Sequence, residues 1–424
     1  CPCGKGQKND GNPGMVGYNA HEMPVSLNLV DTPIGYKPSI GPDVNIRLVY
    51  NQREARQPAV PTFFNFGPKW TSNWLAYIVD NPTGLGSSVM RYARGGGAYD
   101  EYGYNSATGE FSPERSDYST LRLASTAPVR YLRRLRDGSM EVYSTSDRAN
   151  AYPRRVFLSK IIDPAGNTVS LTYDETFRLT SITDAVGRQT SLAYESSAFP
   201  LQITRITDPF GRSAQISYDN NGRLSSITDV LGLTSSFTYD AGTFIRAMTT
   251  PYGTSRFTYG ESGADRWLEM RDPLGAIERV EFKHSASGMP YSDPRGTPAG
   301  MAADNTYLYY RNSFYWNKHA YKLAGIDYAK ARVTHWYHDN RNASYTSTAI
   351  ESIQNSLEGR IWFRSPNDSG YFAGSYNSPS QIGRVLDDGS SQVMGLTYNE
   401  AGNVASTTDP AGRLTEFFYA GNRT

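Results

Sequence analysis

The stretch that decides the fold is "ITDPFGRSAQISYDNNGRLSSITDVLGLTSSFTYD", residues 206–240. This stretch contains the same residue pattern twice. Ile-Thr-Asp at 206–208 returns at 227–229, and Tyr-Asp at 218–219 returns at 239–240, both 21 residues later. A fixed interval of this size indicates one supersecondary element used repeatedly.

The same pattern runs well beyond this stretch. The tyrosines of successive units are separated by 21, 24, 21 and 20 residues, and two more stand 21 residues apart near the end of the sequence. The residues that mark the units are Tyr173, Tyr194, Tyr218, Tyr239, Tyr259, Tyr398 and Tyr419, with Asp163, Asp184, Asp208, Asp229 and Asp409 and the glycines Gly166, Gly187, Gly211, Gly232 and Gly412. We interpret all of them as structural markers of the repeat.

One unit can be read in full at "DPAGNTVSLTYD", residues 163–174. The Asp-Pro-Ala-Gly tetrapeptide has the residues of a tight turn. Val169, Leu171 and Tyr173 then alternate with polar residues, which predicts a strand with one apolar face. A second turn and a returning strand over 178–183 complete a β-hairpin, and a lone hairpin is only marginally stable in water. Stacked hairpins that share ladders would form a long, twisted sheet.

The amino-acid composition agrees with an all-β protein, and the balanced charge disfavours binding to nucleic acid or to an anionic membrane. Only 38% of the residues are hydrophobic, yet the sequence has 31 Tyr, 39 Gly and 24 Pro, which suits many short strands and tight turns. A sheet with water on both faces would explain the low fraction of hydrophobic residues.

The formal net charge is +1, so no excess field favours nucleic acid or an anionic membrane. The basic cluster at 130–138 fits one arm of a hairpin around Asp137-Gly138. No apolar run is long enough to span a membrane.

Several complete units in tandem identify the resemblance. "DPAGNTVSLTYDETFRLTSITD" at 163–184, "DPFGRSAQISYDNNGRLSSITD" at 208–229 and "LTYNEAGNVASTTDPAGRLTEFFY" at 396–419 resemble the YD repeat of the RHS family. Clear repeats cover residues 162–283 and 382–424. The region before them also resembles the opening of bacterial RHS shells.

The resemblance implies a strip of hairpins that spirals into a curved, hollow shell. Similar shells enclose a toxic C-terminal polypeptide in bacterial RHS toxins and insecticidal toxin complexes, and they serve as extracellular recognition modules in teneurins. The DPxGxxGG-like autoproteolysis motif of RHS toxin shells is not found in the sequence. The family's self-cleaving protease is therefore not assigned to this chain.

The pattern predicts five regions. We expect a flexible leader at 1–20, a β-rich cap at 21–159 that seals the first edge of the shell, and repeat hairpins at 160–283. An aromatic-rich β insert follows at 284–381, and further hairpins at 382–424 end at an open sheet edge. The roles of Cys1 and Cys3 in the leader stay open among a metal-ligand pair, an intermolecular disulfide, a lipid anchor and no role.

The aromatic-rich insert allows two interpretations. Exposed rings could form a ligand surface for a glycan or a cell-surface protein, or they could pack across longer strands. The residues of the possible ligand surface are Tyr309, Tyr310, Trp316, Trp336, Tyr337 and Trp362.

Enzymatic function has little support. His335, His338 and Asp339 form "HWYHD", but Trp336 and Tyr337 favour a strand, on which positions three apart would face opposite sides and could not share a metal. The repeated aspartates occupy turn positions. We therefore predict no catalytic residue, no metal and no cofactor, with a hydrolase on a β scaffold as a remote alternative.

These observations together predict a secreted or surface-directed structural protein. We expect a shell segment that encloses or displays a partner polypeptide, such as a toxin cargo. Its other partners would be the remainder of a shell or further copies of the chain, joined through sheet edges into an oligomer or filament. The alternative is an extracellular adhesin that binds through its aromatic insert.

Overall fold

Antiparallel strands joined by short turns make up nearly all of the regular structure. The computed structural model describes residues 14–96, 99–114, 116–339, 342, 344–374 and 376–419. They divide into two compact units. The N-terminal unit holds residues 14–19 and 27–254, and the C-terminal unit holds residues 20–26 and 255–419.

The strands are numbered in chain order. The first half of the chain forms β1 (Gly14–His21), β2 (Ser26–Tyr36), β3 (Val44–Asn51), β4 (Trp70–Ser72), β5 (Tyr77–Asp80), β6 (Val89–Tyr92), β7 (Tyr99–Tyr102), β8 (Tyr104–Asn105), β9 (Glu110–Phe111), β10 (Thr120–Thr126), β11 (Val129–Arg134), β12 (Met140–Ser146), β13 (Arg154–Ile162), β14 (Thr168–Tyr173), β15 (Leu179–Thr183), β16 (Gln189–Ala193) and β17 (Arg205–Thr207). The second half forms β18 (Ser213–Tyr218), β19 (Leu224–Thr228), β20 (Thr234–Tyr239), β21 (Ile245–Thr250), β22 (Gly253–Ser262), β23 (Asp265–Arg271), β24 (Ile277–Ser285), β25 (Tyr310–Trp316), β26 (Arg332–His338), β27 (Thr346–Gln354), β28 (Ile361–Arg364), β29 (Gln381–Val385), β30 (Ser391–Tyr398), β31 (Val404–Thr408) and β32 (Leu414–Glu416), with helix α1 (Lys318–Ala324) and a 3₁₀ turn (Tyr328–Lys330).

A continuous antiparallel ladder runs through the N-terminal unit. Each strand from β10 to β21 pairs with the next along the chain, and β5, β6 and β7 join it through β13. The prediction of an all-β fold built from tandem hairpins is confirmed. The ladder begins at β10, so part of the predicted cap belongs to the same sheet as the predicted repeats.

One face of this ladder is fully buried. Leu179, Ile182, Ile206 and Leu224 have no solvent exposure, and aromatic side chains between residues 63 and 70 pack on the same ladder. Trp70, for example, packs on Phe237 with ring centroids 5.0 Å apart. The expectation of a sheet with water on both faces is therefore wrong for this unit.

A second ladder fills the C-terminal unit. Strands β22 to β32 again pair in sequence order. The aromatic-rich residues 284–381 supply β25, β26, β27 and β28 to this ladder, so they continue the sheet and do not interrupt it. Among the residues described, α1 is the single α-helix.

Some predictions concern the chain termini. Gly14–His21 forms a strand, so the predicted flexible leader of 20 residues is too long at its C-terminal end. Cys1 and Cys3 lie outside the described residues. No helix in the described part of the chain is long and apolar enough to cross a membrane.

Candidate functional site: the repeat clamp

In six of the repeat units a tyrosine hydroxyl ties the hairpin to the hairpin before it, and we call this hydrogen bond the clamp. In the N-terminal unit the Tyr194 hydroxyl donates to the carbonyl oxygen of Leu179 at 2.9 Å, and Tyr218 donates to Ile203 at 2.7 Å. Each acceptor lies 15 residues earlier, at or just before the start of the last strand of the preceding hairpin. The same bond is made by Tyr173 to Leu158, Tyr239 to Leu224 and, in the C-terminal unit, Tyr419 to Val404 and Tyr398 to Pro379.

A β-bulge precedes four of the repeat tyrosines. The register shifts between Ser217 and Tyr218, and Tyr218 then pairs with Leu224. The same shift precedes Tyr173, Tyr239 and Tyr398. A bulge re-aims a side chain out of the regular alternation, which lets the ring lie along the neighbouring hairpin. Burial raises the pKa of the Tyr218 hydroxyl, so it remains a protonated donor.

The aspartate after the tyrosine holds the turn and an arginine together. Asp219 Oδ1 accepts from the backbone amides of Asn221 and Arg223 at 2.9 Å each, and Oδ2 accepts from Arg223 Nε at 2.7 Å. The Arg223 guanidinium then lies over the ring of Tyr239, 4.8 Å from its centroid. Asp174, Arg178 and Tyr194 repeat the arrangement. The YDxxxR spacing thus places one arginine where it pairs with the aspartate of its own turn and also lies over the tyrosine of the next unit.

One unit departs from this pattern. Glu195 follows Tyr194, and the chain makes a longer connection through Phe199 and Gln202 before β17. This explains the 24-residue interval. The connection borders a cavity of about 500 Å³ whose other lining residues include Glu54 and Tyr92.

The aspartates of the DPxG turns act as backbone acceptors. Asp208 Oδ1 accepts from the amides of Phe210 at 2.9 Å and Arg212 at 3.0 Å, and Gly211 adopts a φ of 81°, which favours glycine. Equivalent bonds form at Asp163, Asp184, Asp229 and Asp409. These contacts support the interpretation of the markers as turn residues. Tyr259 differs from the other markers, because it pairs with Leu268 in a regular ladder without a bulge.

The proposed ligand surface is largely buried. Trp316 and Tyr337 have no exposure, and Trp362 and Trp336 are 1% and 4% exposed. Trp336 Nε1 donates to Ser313 Oγ at 2.9 Å. The prediction of exposed rings is wrong for these four residues, and the alternative of packing across strands holds. Tyr309 and Tyr310 are half-buried and contact each other.

His335 and His338 lie closer together than the strand pattern predicted. Arg311 contacts both, through Nη1 to His338 Nε2 at 2.9 Å and through Nη2 to His335 Nε2 at 3.4 Å. The expectation of opposite faces is wrong, because β26 is bulged between the two histidines. A buried guanidinium between the imidazoles disfavours a cation there. No group of three His, Cys, Asp or Glu in the described ranges has the geometry of a metal site.

His335 also contacts a buried carboxylate. Its Nδ1 lies 3.1 Å from Asn312 Oδ1, an acceptor fixed by the bond from Asn312 Nδ2 to Leu308. Nδ1 therefore donates, and Nε2 lies 3.1 Å from Glu351 Oε2. Arg311 Nη2 lies near both of these atoms, 3.4 Å from His335 Nε2 and 3.5 Å from Glu351 Oε2. Burial lowers the pKa of His335, and Glu351 opposes that shift.

Sequence reasoning missed a buried ion network in the N-terminal unit. Arg91 and Arg133, each 3% exposed, converge on Glu141, which is 1% exposed, at 3.0 and 3.1 Å. Burial opposes ionisation, but the coulombic effects of Arg91, Arg133 and Arg94 lower the pKa of Glu141 to about 2. Arg133 comes from the basic cluster that the sequence places in a hairpin arm, and β11 confirms that hairpin.

Comparison with known proteins places the clamp in a family. The RHS Repeat family model matches residues 158–194, 201–234 and 218–255. No curated protein has a significant sequence match to the chain.

Solved structures with detectable similarity include crystal structures of TcdB2-TccC3-TEV, with 10% identity and a TM-score of 0.28 over 93% of this chain and 27% of that one, and of TcdB2-TccC3 without its hypervariable C-terminal region, with 11% identity and a TM-score of 0.25 over 90% and 24%. A Tc holotoxin pore of Photorhabdus luminescens has 12% identity and a TM-score of 0.25 over 90% and 24%. The chain thus covers about a quarter of each of those chains. The family match falls on hairpins that carry the clamp, and residues 158–194 and 201–255 are therefore RHS repeats.

Proposed function

We propose that the chain is a wall segment of an RHS shell, which encloses or displays a partner polypeptide. The observation that supports this function is the clamp itself. Each hairpin of the matched region is joined to its neighbour by backbone hydrogen bonds and by a tyrosine hydroxyl on a main-chain carbonyl. The repeats therefore have a structural role, and containment is the function that such a wall serves best.

The physical basis of containment is a backbone with few openings. Within the N-terminal ladder the strands pair without interruption from β10 to β21, and the turns at both rims bond their own aspartates. A protease must bind its substrate as an extended, unpaired strand, so a chain segment held this way resists cleavage. A polypeptide behind such a wall would share that protection.

The identity of the contents and the location of the protein belong to the same proposal. The RHS resemblance implies a toxin cargo, a secreted or surface location, and association with the rest of a shell or with further copies. The adhesin alternative has lost its main support, because most of its supposed contact residues are buried. We assign no catalytic residue.

A reporter fusion tests containment directly. An unstructured, epitope-tagged peptide with many lysines is fused after residue 424, and its lifetime in trypsin is compared with that of the same peptide fused to a small globular protein. We expect the lifetime to increase about tenfold or more. Equal lifetimes would contradict enclosure by this chain.

A matched variant distinguishes protection of the reporter by an intact wall from protection by the mere bulk of the fused protein. Replacing Tyr194 and Tyr218 by alanine removes two clamps, and we expect the reporter to lose its protection in that background. Replacing the exposed Tyr252 and Tyr152 by alanine should leave protection unchanged.

A further inference from the structure

The basic cluster at residues 130–138 divides its charges between the two faces of the N-terminal ladder. Arg133 lies on the buried face and pairs with Glu141 at 3.1 Å. Arg130 and Arg134 stand three positions before and one position after Arg133 in β11, so they lie on the opposite face. Arg130 is exposed and Arg134 is half-buried. The ion network around Glu141 therefore does not include their charges.

Strand pairing brings two further cations to the same face as these two arginines. Residues directly opposite each other in an antiparallel ladder have their side chains on one side of the sheet. Arg122 in β10 lies opposite Leu132, which stands two residues from each arginine in β11. Lys160 in β13 joins the same cross-strand row through Val142 in β12, and both added cations are exposed. We define the basic face by its four cations, Arg122, Arg130, Arg134 and Lys160.

No acidic side chain lies in the cross-strand rows of these cations. The residues that share the rows are Thr120, Ser125, Leu132, Met140, Val142 and Ile162. Asp137 and Asp163 lie in the turns at one end of the face, where their carboxylates accept from Ser139 Oγ at 2.6 Å and Asn167 Nδ2 at 2.8 Å. Among the residues that the structure describes, none of the four cations makes an ion pair or a side-chain hydrogen bond. The basic face thus carries four uncompensated charges on a chain whose net charge is only +1.

The side chains between the cations indicate which class of polyanion fits. Leu132, Met140 and Ile162 remain partly exposed among the charges, so a partner gains from apolar groups as well as from anions. No Trp, Tyr or Phe shares the rows, which disfavours stacking of nucleic-acid bases. A sulfated glycan would leave the apolar side chains without a counterpart. An arginine fork matches the two oxygens of a carboxylate, so an acidic polypeptide with apolar side chains complements this face best.

We propose that the basic face binds an acidic polypeptide segment that also carries apolar side chains. The carboxylates pair with the three arginines and Lys160, and the apolar side chains cover Leu132, Met140 and Ile162. This inference rests on the proposed function in taking the partner to be a polypeptide. A free peptide tests it without any enclosure, so failure to bind the peptide is distinguishable from failure to protect the fused reporter.

The probe is a fluorescein-labelled peptide of three Glu-Glu-Leu-Leu repeats, and its binding is measured by fluorescence polarisation at an ionic strength of about 0.1 M. We expect wild-type protein to bind it about tenfold or more tightly than a Glu-Glu-Ser-Ser peptide or a Lys-Lys-Leu-Leu peptide of equal length. Equal binding of the three peptides would overturn the proposal. Stronger displacement of the probe by heparin or single-stranded DNA of equal charge than by unlabelled peptide would also overturn it, in favour of another polyanion.

Matched variants locate the site. The triple variant Arg122→Gln, Arg130→Gln and Arg134→Gln should weaken binding about tenfold or more. The control variant Lys37→Gln, Arg148→Gln and Arg246→Gln removes the same charge at exposed positions outside the basic face, and it should bind like wild type. The thermal unfolding midpoints of both variants are measured to show that they fold. Equal affinity of the two variants would assign the binding to net charge and contradict the proposal.

Discussion

The hydroxyl of the repeat tyrosine is the smallest unit of this architecture. It donates to a main-chain carbonyl of the preceding hairpin, and burial raises the pKa of the Tyr173 and Tyr218 hydroxyls. A buried acceptor without a donor costs about 1–3 kcal/mol. The tyrosine therefore contributes to the stability of the fold through the hydrogen bond of its hydroxyl as well as through the burial of its ring.

Tyr218→Phe isolates that oxygen. We expect the free energy of unfolding to fall by about 1–2 kcal/mol, because the Ile203 carbonyl loses its 2.7 Å donor while the ring remains. Guanidinium denaturation followed by fluorescence measures the change. Tyr252→Phe, at a residue 78% exposed, is the control, and a similar loss in both variants would contradict the clamp.

Asp31 gives the N-terminal unit a pH dependence. Burial raises its pKa to about 7, Asp229 adds to the rise, and the Thr32 amide opposes it. The folded-state pKa lies above the unfolded value of 3.8. The stabilisation linked to the protonated carboxyl is therefore complete below about pH 4 and is lost as the pH rises to about 7.

Asp31→Asn should remove this dependence. We expect the variant to unfold at a higher denaturant concentration than wild type at pH 8 and to differ little from it at pH 4. Asp43→Asn, at an exposed position, serves as the control. A wild-type protein whose stability does not decline between pH 4 and pH 7 relative to the Asn variant would refute the argument.

At the scale of elements, buried charge joins strands that are distant in sequence. Arg91 in β6 and Arg133 in β11 both meet Glu141 in β12. Removing one member of a buried ion network leaves uncompensated charge, which costs more than the network itself stabilises. We therefore expect the network to favour this arrangement of strands and to add little stability over an apolar core.

Glu141→Gln should destabilise the N-terminal unit by about 3–5 kcal/mol, because two buried guanidinium groups lose their shared carboxylate. The midpoint of thermal unfolding measures the effect. Glu175→Gln breaks the pair with Arg148, whose side chains are 85% and 68% exposed, and it should change stability by less than about 1 kcal/mol. A comparable effect at both positions would contradict the role of burial.

At the scale of the whole molecule, one prediction concerns the last strand of the C-terminal ladder. Among the described residues β32 pairs only with β31. Phe417 donates to Ala405, so in an antiparallel ladder the amide of the adjacent Glu416 points away from β31. Such an edge can accept a strand from another chain.

Glu416→Pro tests association through this edge, because it removes an outward N–H and leaves the bonds to β31 in place. We expect wild-type protein to show a mass that rises with concentration in size-exclusion chromatography with light scattering. The proline variant should remain monomeric. A wild-type monomer at every concentration would contradict edge pairing between chains.

Features that depend on neighbouring residues could be predicted from the sequence, whereas features that depend on distant residues could not. Strand 168–173 and its return at 179–183 were predictable, because alternation and the turn residues act within a few positions. The bulges before Tyr173 and Tyr218 were not, because a bulge depends on the register of the opposing strand. His335 and His338 meet at Arg311 for the same reason.

The sequence by itself determined the hairpins, their order and their turns, since backbone preferences and hydrogen bonds inside a turn involve neighbouring residues. Only the tertiary structure decided which face of the ladder is buried, that Trp316 and Trp362 pack inward, and that residues 33–36 lie along the turn rim. Burial is set by what covers a surface, and here the covering residues are distant in sequence: Trp70 packs on Phe237 and Tyr36 packs on Phe210.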